Sequence, residues 1–183
     1  MFVSNSAAEE KDLIARAKVD RQAFLEIYDA YFQKIYDYAY YRTLSQVEAE
    51  EITSQTFLAA LENIQRFEYR NVPIIVWLYK IASNALTDMF RKQGRTVQLQ
   101  EEQVMTVTYN EPETIALGNS EREQLLECIH ALPPLQQQAI ILRYIQNLSY
   151  KEIAGILEKS EGAVKQLLHR GLMTLRERMV QHE

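Results

Sequence analysis

Leu148-Ser-Tyr-Lys-Glu-Ile-Ala-Gly-Ile-Leu-Glu-Lys-Ser-Glu-Gly-Ala-Val-Lys-Gln-Leu-Leu-His-Arg170 reads as two short helices joined by a tight turn. Ser149 followed by Glu152 forms a capping box that starts the first helix, and Ser160 followed by Glu161 supplies an N-cap for the second. Ile153, Ala154 and Leu157 share one face of the first helix; Val164, Leu167, Leu168, Gly171 and Leu175 share one face of the second. The two faces are expected to pack together. Gly162, Lys165, Gln166, His169 and Arg176 are left on the opposite side of the second helix, a strip of small, amide and basic groups suited to base edges and phosphates. On this window alone, a groove-reading helix competes with an ordinary solvated helix face.

The rest of the chain is consistent with a small helical protein. It has 183 residues, only five glycines and long 3.6-residue periodicity, so the class is all-α, with one ordinary domain or two small ones. No apolar run approaches the roughly 20 residues needed to cross a bilayer, and Met1-Phe-Val-Ser-Asn-Ser6 lacks the basic start and apolar stretch of a signal peptide. A cytoplasmic location without membrane insertion is expected. Cys128 is the single cysteine, expected to be a buried small hydrophobe, and His130 two residues on would point to a different side of a helix from it.

The net charge of −5 argues against nucleic acid until it is divided along the chain. Residues 1–64 carry six basic and eleven acidic groups, 65–95 six and two, 96–142 one and seven, and 143–183 seven and five. Two positive islands therefore stand in an acidic chain, a distribution that suits contact with DNA at chosen places only. The acidic segments are expected to face something else, such as a basic protein surface.

Arg21–Arg42 reads as a helix with Phe24, Ile27, Tyr28, Tyr31, Ile35 and Tyr38 as its packing stripe. Ser45 with Glu48 opens a second helix, Gln46–Ile64, whose acidic start suits the positive end of the helix dipole. Asn71 ahead of Val72-Pro73 is the expected N-cap of a third helix running to Gln93, with Ile74, Leu78, Ile81, Ala82, Ala85 and Met89 buried. Lys80, Asn84, Thr87, Asp88 and Arg91 lie on another side. Residues 95–119 read as an acidic linker. Ser120 with Glu123 opens a fourth helix to Ala131, and Pro133-Pro134 breaks it before a fifth, Leu135–Ile145.

Phe67, Tyr69, Trp77 and Tyr79 are interleaved with Arg66, Arg70, Lys80, Arg91 and Lys92. Aromatic faces stack on unpaired bases while cations hold the backbone, so this set suits single-stranded DNA. The competing reading is that Trp77 and Phe67 simply fill the core. There is no glycine-rich phosphate loop, nucleophile elbow or zinc spacing, and His130, His169 and His182 are scattered. No catalytic residue, cofactor or metal is assigned.

Taken together, these segments resemble a bacterial RNA polymerase sigma factor of the extracytoplasmic-function (group IV) type, which keeps sigma domains 2 and 4. Glu48-Ala-Glu-Glu-Ile-Thr-Ser-Gln-Thr-Phe-Leu58 is similar to region 2.2, and Trp77-Leu-Tyr-Lys-Ile-Ala-Ser-Asn84 with Asp88, Arg91 and Lys92 to regions 2.3 and 2.4. Leu132-Pro-Pro-Leu-Gln-Gln-Gln-Ala-Ile-Ile-Leu-Arg-Tyr144 and the helix-turn-helix after it resemble region 4.

The resemblance implies two small helical domains, 21–94 and 120–183, joined by a flexible acidic linker over 95–119, with 1–20 as an N-terminal extension. It implies core RNA polymerase as a partner, met at the β′ clamp helices by Glu48, Glu51, Ile52, Gln55 and Phe57, and also at the β flap. Minus-ten DNA, opened to single strands, would be handled by Phe67, Tyr69, Arg70, Trp77, Lys80, Asn84, Asp88, Arg91 and Lys92. Minus-thirty-five duplex would be met by Ser160, Glu161, Gly162, Lys165, Gln166, His169 and Arg170. An anti-sigma factor is a further implied partner.

Two departures from the family pattern bear on the reading domain. Glu158-Lys159 stands where many members have glycine and a hydrophobe in the turn, which implies a strained, less rigid turn; Leu167 stands where many place arginine. Two other functions stay open at the level of residues: a stand-alone helix-turn-helix regulator, and a polymerase-binding adaptor that reads no DNA.

Overall fold

A computed structural model describes residues 7–69, 72–94 and 120–180, with side chains from Glu123 onward in the last stretch. The described residues form α1 (Ala7–Val19), α2 (Arg21–Thr43), α3 (Gln46–Asn63), α4 (Ile74–Lys92), α5 (Ser120–His130), α6 (Pro134–Ile140), α7 (Tyr150–Leu157) and α8 (Glu161–Val180). A 3-10 turn, Ile64–Arg66, follows α3, and α6 runs on into a π-helical turn, Ile141–Ile145. None of these helices is long and apolar enough to cross a membrane. The expected linker and the Ser120 side chain lie outside the described residues, while the expected Asn71 cap is corrected: α4 starts only at Ile74, with Pro73 in the N-cap position.

Local chemistry sets most boundaries. Asp20 accepts from the Gln22 N–H at 2.8 Å to start α2, and Leu44 ends it in the left-handed conformation, φ 54°. Ser45 caps α3 through the Glu48 N–H. The α7 capping box is complete: the Ser149 N–H donates to Glu152 Oε2 at 2.7 Å and the Glu152 N–H to Ser149 Oγ at 3.3 Å. Ser160 Oγ accepts from the Ala163 N–H at 3.2 Å and starts α8.

The first core lies among α2, α3 and α4, where Ile27, Ile35, Tyr38, Ile52, Ile74, Leu78 and Leu86 are fully buried. The second lies between α6, α7 and α8, around Ile141, Leu142, Ile153 and Val164, with Cys128 buried beside it. Gly171 is required here by close approach: a Cβ on it would sit 3.0 Å from Ile140 Cγ1. The apolar face of α7 is carried by Ile153 and Ile156, while Ala154 and Leu157 are only half-buried.

Two features depart from the sequence reading. Residues 7–19, expected as an extension, form α1, which packs on α2 and the 3-10 turn and buries Leu13, Ile14 and Ala17. Its apolar stripe is hard to see in sequence because buried Glu10 occupies part of it.

The two halves also pack against each other, α4 on α7 and the C-terminal part of α2 on α5. Side-chain hydrogen bonds cross this boundary. Tyr79 OH donates to Gln146 Oε1 at 2.7 Å; Gln138 Nε2 donates to Tyr38 OH at 2.9 Å and also to Ser83 Oγ. Arg42, buried beside Tyr38, rests 5.8 Å from the Phe90 ring centroid with Nε and Nη1 making no hydrogen bond. Its burial lowers the guanidinium pKa below its ordinary value.

Candidate nucleic-acid interface

Trp77, Lys80, Asn84, Asp88 and Arg91 fall on one stripe of α4, at spacings of three and four residues. Asn84, Asp88, Arg91 and the neighbouring Lys92 are exposed. At the head of the stripe, Trp77 meets Phe67 with ring centroids 4.6 Å apart and planes tilted by 35°. Both rings are half-buried, so they contribute to packing and still present apolar surface. Phe67 is held by its N–H to the Ile64 carbonyl at 3.1 Å, and Tyr69 is half-buried close to Tyr31. Arg70 lies outside the described residues.

The stripe is not a uniform cationic rail. Arg91 pairs with Asp88 at 2.9 Å, one turn back on the helix, and Lys80 Nζ pairs with Glu158 Oε1 at 2.6 Å. Tyr79 leaves the expected aromatic set altogether. It is 1% exposed, meets Tyr38 edge-on at 5.3 Å, and burial raises its phenol pKa. Its ring lies against Tyr38 of α2 and its hydroxyl reaches Gln146, so it is off the open face. The same packing buries Val76, while Ile81, Ala85 and Met89, expected in the core, are half-buried.

The second surface is on α8. Ser160, Glu161, Gly162, Lys165, Gln166, His169 and Arg170 are all exposed, at the N-terminal end of the helix and along one side. Lys165 Nζ lies 5.4 Å and the Arg143 guanidinium 4.8 Å from the Tyr150 ring centroid. These contacts hold two cations at the edge of the α8 face. Arg143 is further fixed by donating from Nη1 to the Leu148 carbonyl at 2.8 Å. Glu158 takes up the left-handed conformation expected of the turn, φ 55°, and its carboxylate is tied to Lys80.

The expected polymerase-facing set on α3 divides in two. Ile52 and Phe57 are core: Ile52 is fully buried, and Phe57 is buried with its ring 4.8 Å from Tyr28. Neither is on the open face of α3, which corrects their expected place among polymerase-facing residues. Glu48 is half-buried and accepts from Gln93 Nε2 at 3.0 Å, while Glu51 is exposed and accepts from Gln55 Nε2 at 2.9 Å. The open stripe is Val47, Glu51, Ser54, Gln55 and Leu58. Val47 (75% exposed) and Leu58 (57%) were missed, although both stand out of phase with the apolar face of α3.

Comparison with known proteins accords with this arrangement. The family model for Sigma-70 region 2 matches residues 27–96, and that for Sigma-70, region 4 matches 122–175. The chain is 35% identical over 177 residues to the ECF RNA polymerase sigma factor SigW of Bacillus subtilis, covering 88% of this chain and 91% of that protein. It is 34% identical over 174 residues to the ECF RNA polymerase sigma factor BldN of Streptomyces coelicolor, covering 93% of this chain and 66% of BldN.

Among solved structures, CnrH, in complex with the cytosolic domain of CnrY, matches with a TM-score of 0.73 at 19% identity, covering 97% of this chain and 100% of CnrH. The sigma factor RpoE of Bartonella quintana, in complex with the anti-sigma factor NepR, matches with a TM-score of 0.66 at 22% identity, covering 85% and 96% of the two chains. At these identities the likeness is one of fold. With both sigma regions in order and a match that spans nearly all of SigW, the chain belongs to the ECF RNA polymerase sigma factors.

Proposed function

We propose that this sigma factor binds core RNA polymerase through the open stripe of α3 and directs initiation at promoters that carry minus-ten and minus-thirty-five elements. The segment from Phe67 and the open face of α4 open and hold the minus-ten strand; α8 reads the minus-thirty-five duplex. The observation that carries this reading is the Phe67–Trp77 pair at the head of the Asn84–Asp88–Arg91 stripe, because it joins a stacking platform to polar and cationic groups on one surface. An anti-sigma factor is proposed as a regulatory partner on the family resemblance alone.

Distance imposes a condition on this function. The two promoter elements lie about 25 base pairs apart, roughly 85 Å of B-form duplex at ~3.4 Å per step. A compact body of this chain length has a radius of gyration of about 16 Å. The packed form, in which Lys80 pairs with Glu158, is thus too small to reach both elements, and the two modules separate on polymerase.

In vitro transcription with purified core polymerase tests the proposal. The expected result is chain-dependent initiation, with permanganate-reactive thymines in the minus-ten region. Duplex binding without any effect on polymerase would overturn it in favour of a stand-alone regulator.

A further inference from the structure

The start of α4 lacks a local cap. Pro73 occupies the N-cap position and offers no side-chain acceptor; its carbonyl takes the Val76 N–H at 3.0 Å, and the Ile74 N–H looks elsewhere. The partner of Ile74 comes from α1. Glu10, 6% exposed and 64 residues away in sequence, accepts from the Ile74 N–H at 3.0 Å and from Tyr31 OH at 3.0 Å, both on Oε1. At the other end of the same connection, Gln65 Nε2 donates to the Lys18 carbonyl near the end of α1. Eight residues of helix, about 12 Å, thus bridge the two ends of the segment that carries Phe67 and Tyr69.

A serine or aspartate at the cap position would reach the N–H of the second or third helical residue, so the Ile74 donor needs an acceptor from outside the helix; a buried carboxylate in that role needs full hydrogen bonding to be tolerated. Glu10 receives that support from two neutral donors and from the positive end of α4. Tyr31 is itself enclosed: Lys34 Nζ lies 5.7 Å from its ring centroid, and burial together with the Glu10 carboxylate raises its phenol pKa. Tyr69 is near enough to Tyr31 to add to that effect.

The α1 helix is anchored independently of these bonds. Leu13, Ile14 and Ala17 are buried, and Arg16 holds Glu26 through two hydrogen bonds, 2.6 and 3.1 Å, and Asp12 through a third at 3.1 Å.

We infer that Glu10 is a positioning residue for strand capture: from α1 it fixes where α4 begins, and so sets Trp77 against Phe67 in the geometry that receives an unpaired minus-ten base. The inference rests on the strand-trapping role proposed above. It gives α1 a part in promoter opening without contact to DNA.

Trp77 is the sole tryptophan of the chain, so its fluorescence reports the Phe67–Trp77 geometry directly. The test uses the full chain with core polymerase and compares wild type, Glu10→Ala, Glu10→Gln and Phe67→Ala. Measured are core binding, thermal melting and acrylamide quenching of Trp77 in the free full chain, and holoenzyme affinity for a fork template with a single-stranded minus-ten segment.

Glu10→Ala is expected to keep core binding, make Trp77 more quenchable and weaken fork binding about tenfold, the scale of one hydrogen bond to a charged acceptor. Glu10→Gln, which keeps an acceptor oxygen, restores most of both signals. If Glu10→Ala does not fold, Tyr31→Phe decides: loss of one Glu10 partner should move Trp77 quenching and fork binding in the same direction by a smaller factor.

A folded Glu10→Ala protein with wild-type quenching and wild-type fork binding overturns the positioning role, as does altered quenching with unchanged fork binding while Phe67→Ala still loses the fork. Undiminished fork binding by folded Phe67→Ala overturns the strand-trapping reading itself, whatever Glu10 does.

Discussion

Lys80 Nζ lies 2.6 Å from Glu158 Oε1, joining the face of α4 to the turn of the helix-turn-helix across 78 residues of chain. Both partners are substantially exposed, so the pair biases the packing of the two modules rather than cementing it. Each also belongs to a proposed reading module, so the packed form engages both with each other.

Reversing the charge at Glu158 is expected to loosen the packing of the two modules. Glu158→Lys places two ammonium groups together, while Tyr79–Gln146 and Gln138–Tyr38 remain to hold the boundary. Small-angle scattering of the free chain should show a larger radius of gyration than wild type at low salt, with the difference shrinking as salt screens the repulsion. An unchanged radius at low salt would mean that the pair has no influence on packing.

Acid should act in the same direction. Lys80 holds the Glu158 carboxylate below the usual carboxylate range, through a hydrogen bond first and charge second. A depressed value in the packed form means that the contribution of the pair is present above the ordinary carboxylate pKa and lost as pH falls through the lowered one. An interdomain fluorescence-transfer pair in the wild type should therefore report separation on acidification into that range. Glu158→Gln should show a weakened response, and an identical response would assign the transition to other groups.

On α3, exposed and buried side chains predict different outcomes. Glu51→Lys, at an exposed site, is expected to weaken binding to core polymerase while leaving the melting temperature within a few degrees of wild type. Phe57→Ala, buried against Tyr28, should instead destabilise the fold by about 3–5 kcal/mol, read by denaturant unfolding. Wild-type pull-down of polymerase by a folded Glu51→Lys protein would remove this stripe from the docking surface.

Asn84→Ala should impair promoter opening while sparing duplex binding by the holoenzyme, because Asn84 is exposed on the open stripe of α4, proposed to hold the strand, and takes no part in the core. Permanganate footprinting measures the opened thymines. Normal opening by the variant would exclude Asn84 from the site.

Gln166→Ala or Lys165→Ala should lower transcription selectively at promoters that depend on the upstream element, with about 1–3 kcal/mol lost per good base contact. Core binding should be unchanged. A uniform loss on every template would mark these side chains as phosphate contacts rather than readers of sequence.

Much of this protein was legible before any tertiary structure. The capping pairs Ser45–Glu48 and Ser149–Glu152 act between residues three apart, and the stripes of α2 and α8 repeat at helical spacing, so sequence alone determined where these helices start and which side each buries. It also placed Lys165, Gln166 and His169 on an open face.

Tertiary structure decided what depends on a second surface. Periodicity marks an apolar stripe but not what covers the flank, so Tyr79 looked like an exposed aromatic until Tyr38 and Gln146 closed on it, and Ile52 and Phe57 looked available until α2 and α4 enclosed them. The Lys80–Glu158 pair and the capping of α4 by Glu10 join residues 78 and 64 positions apart. Local sequence carries no signal for such bonds, because each exists only once the packing of other helices has brought its two ends together.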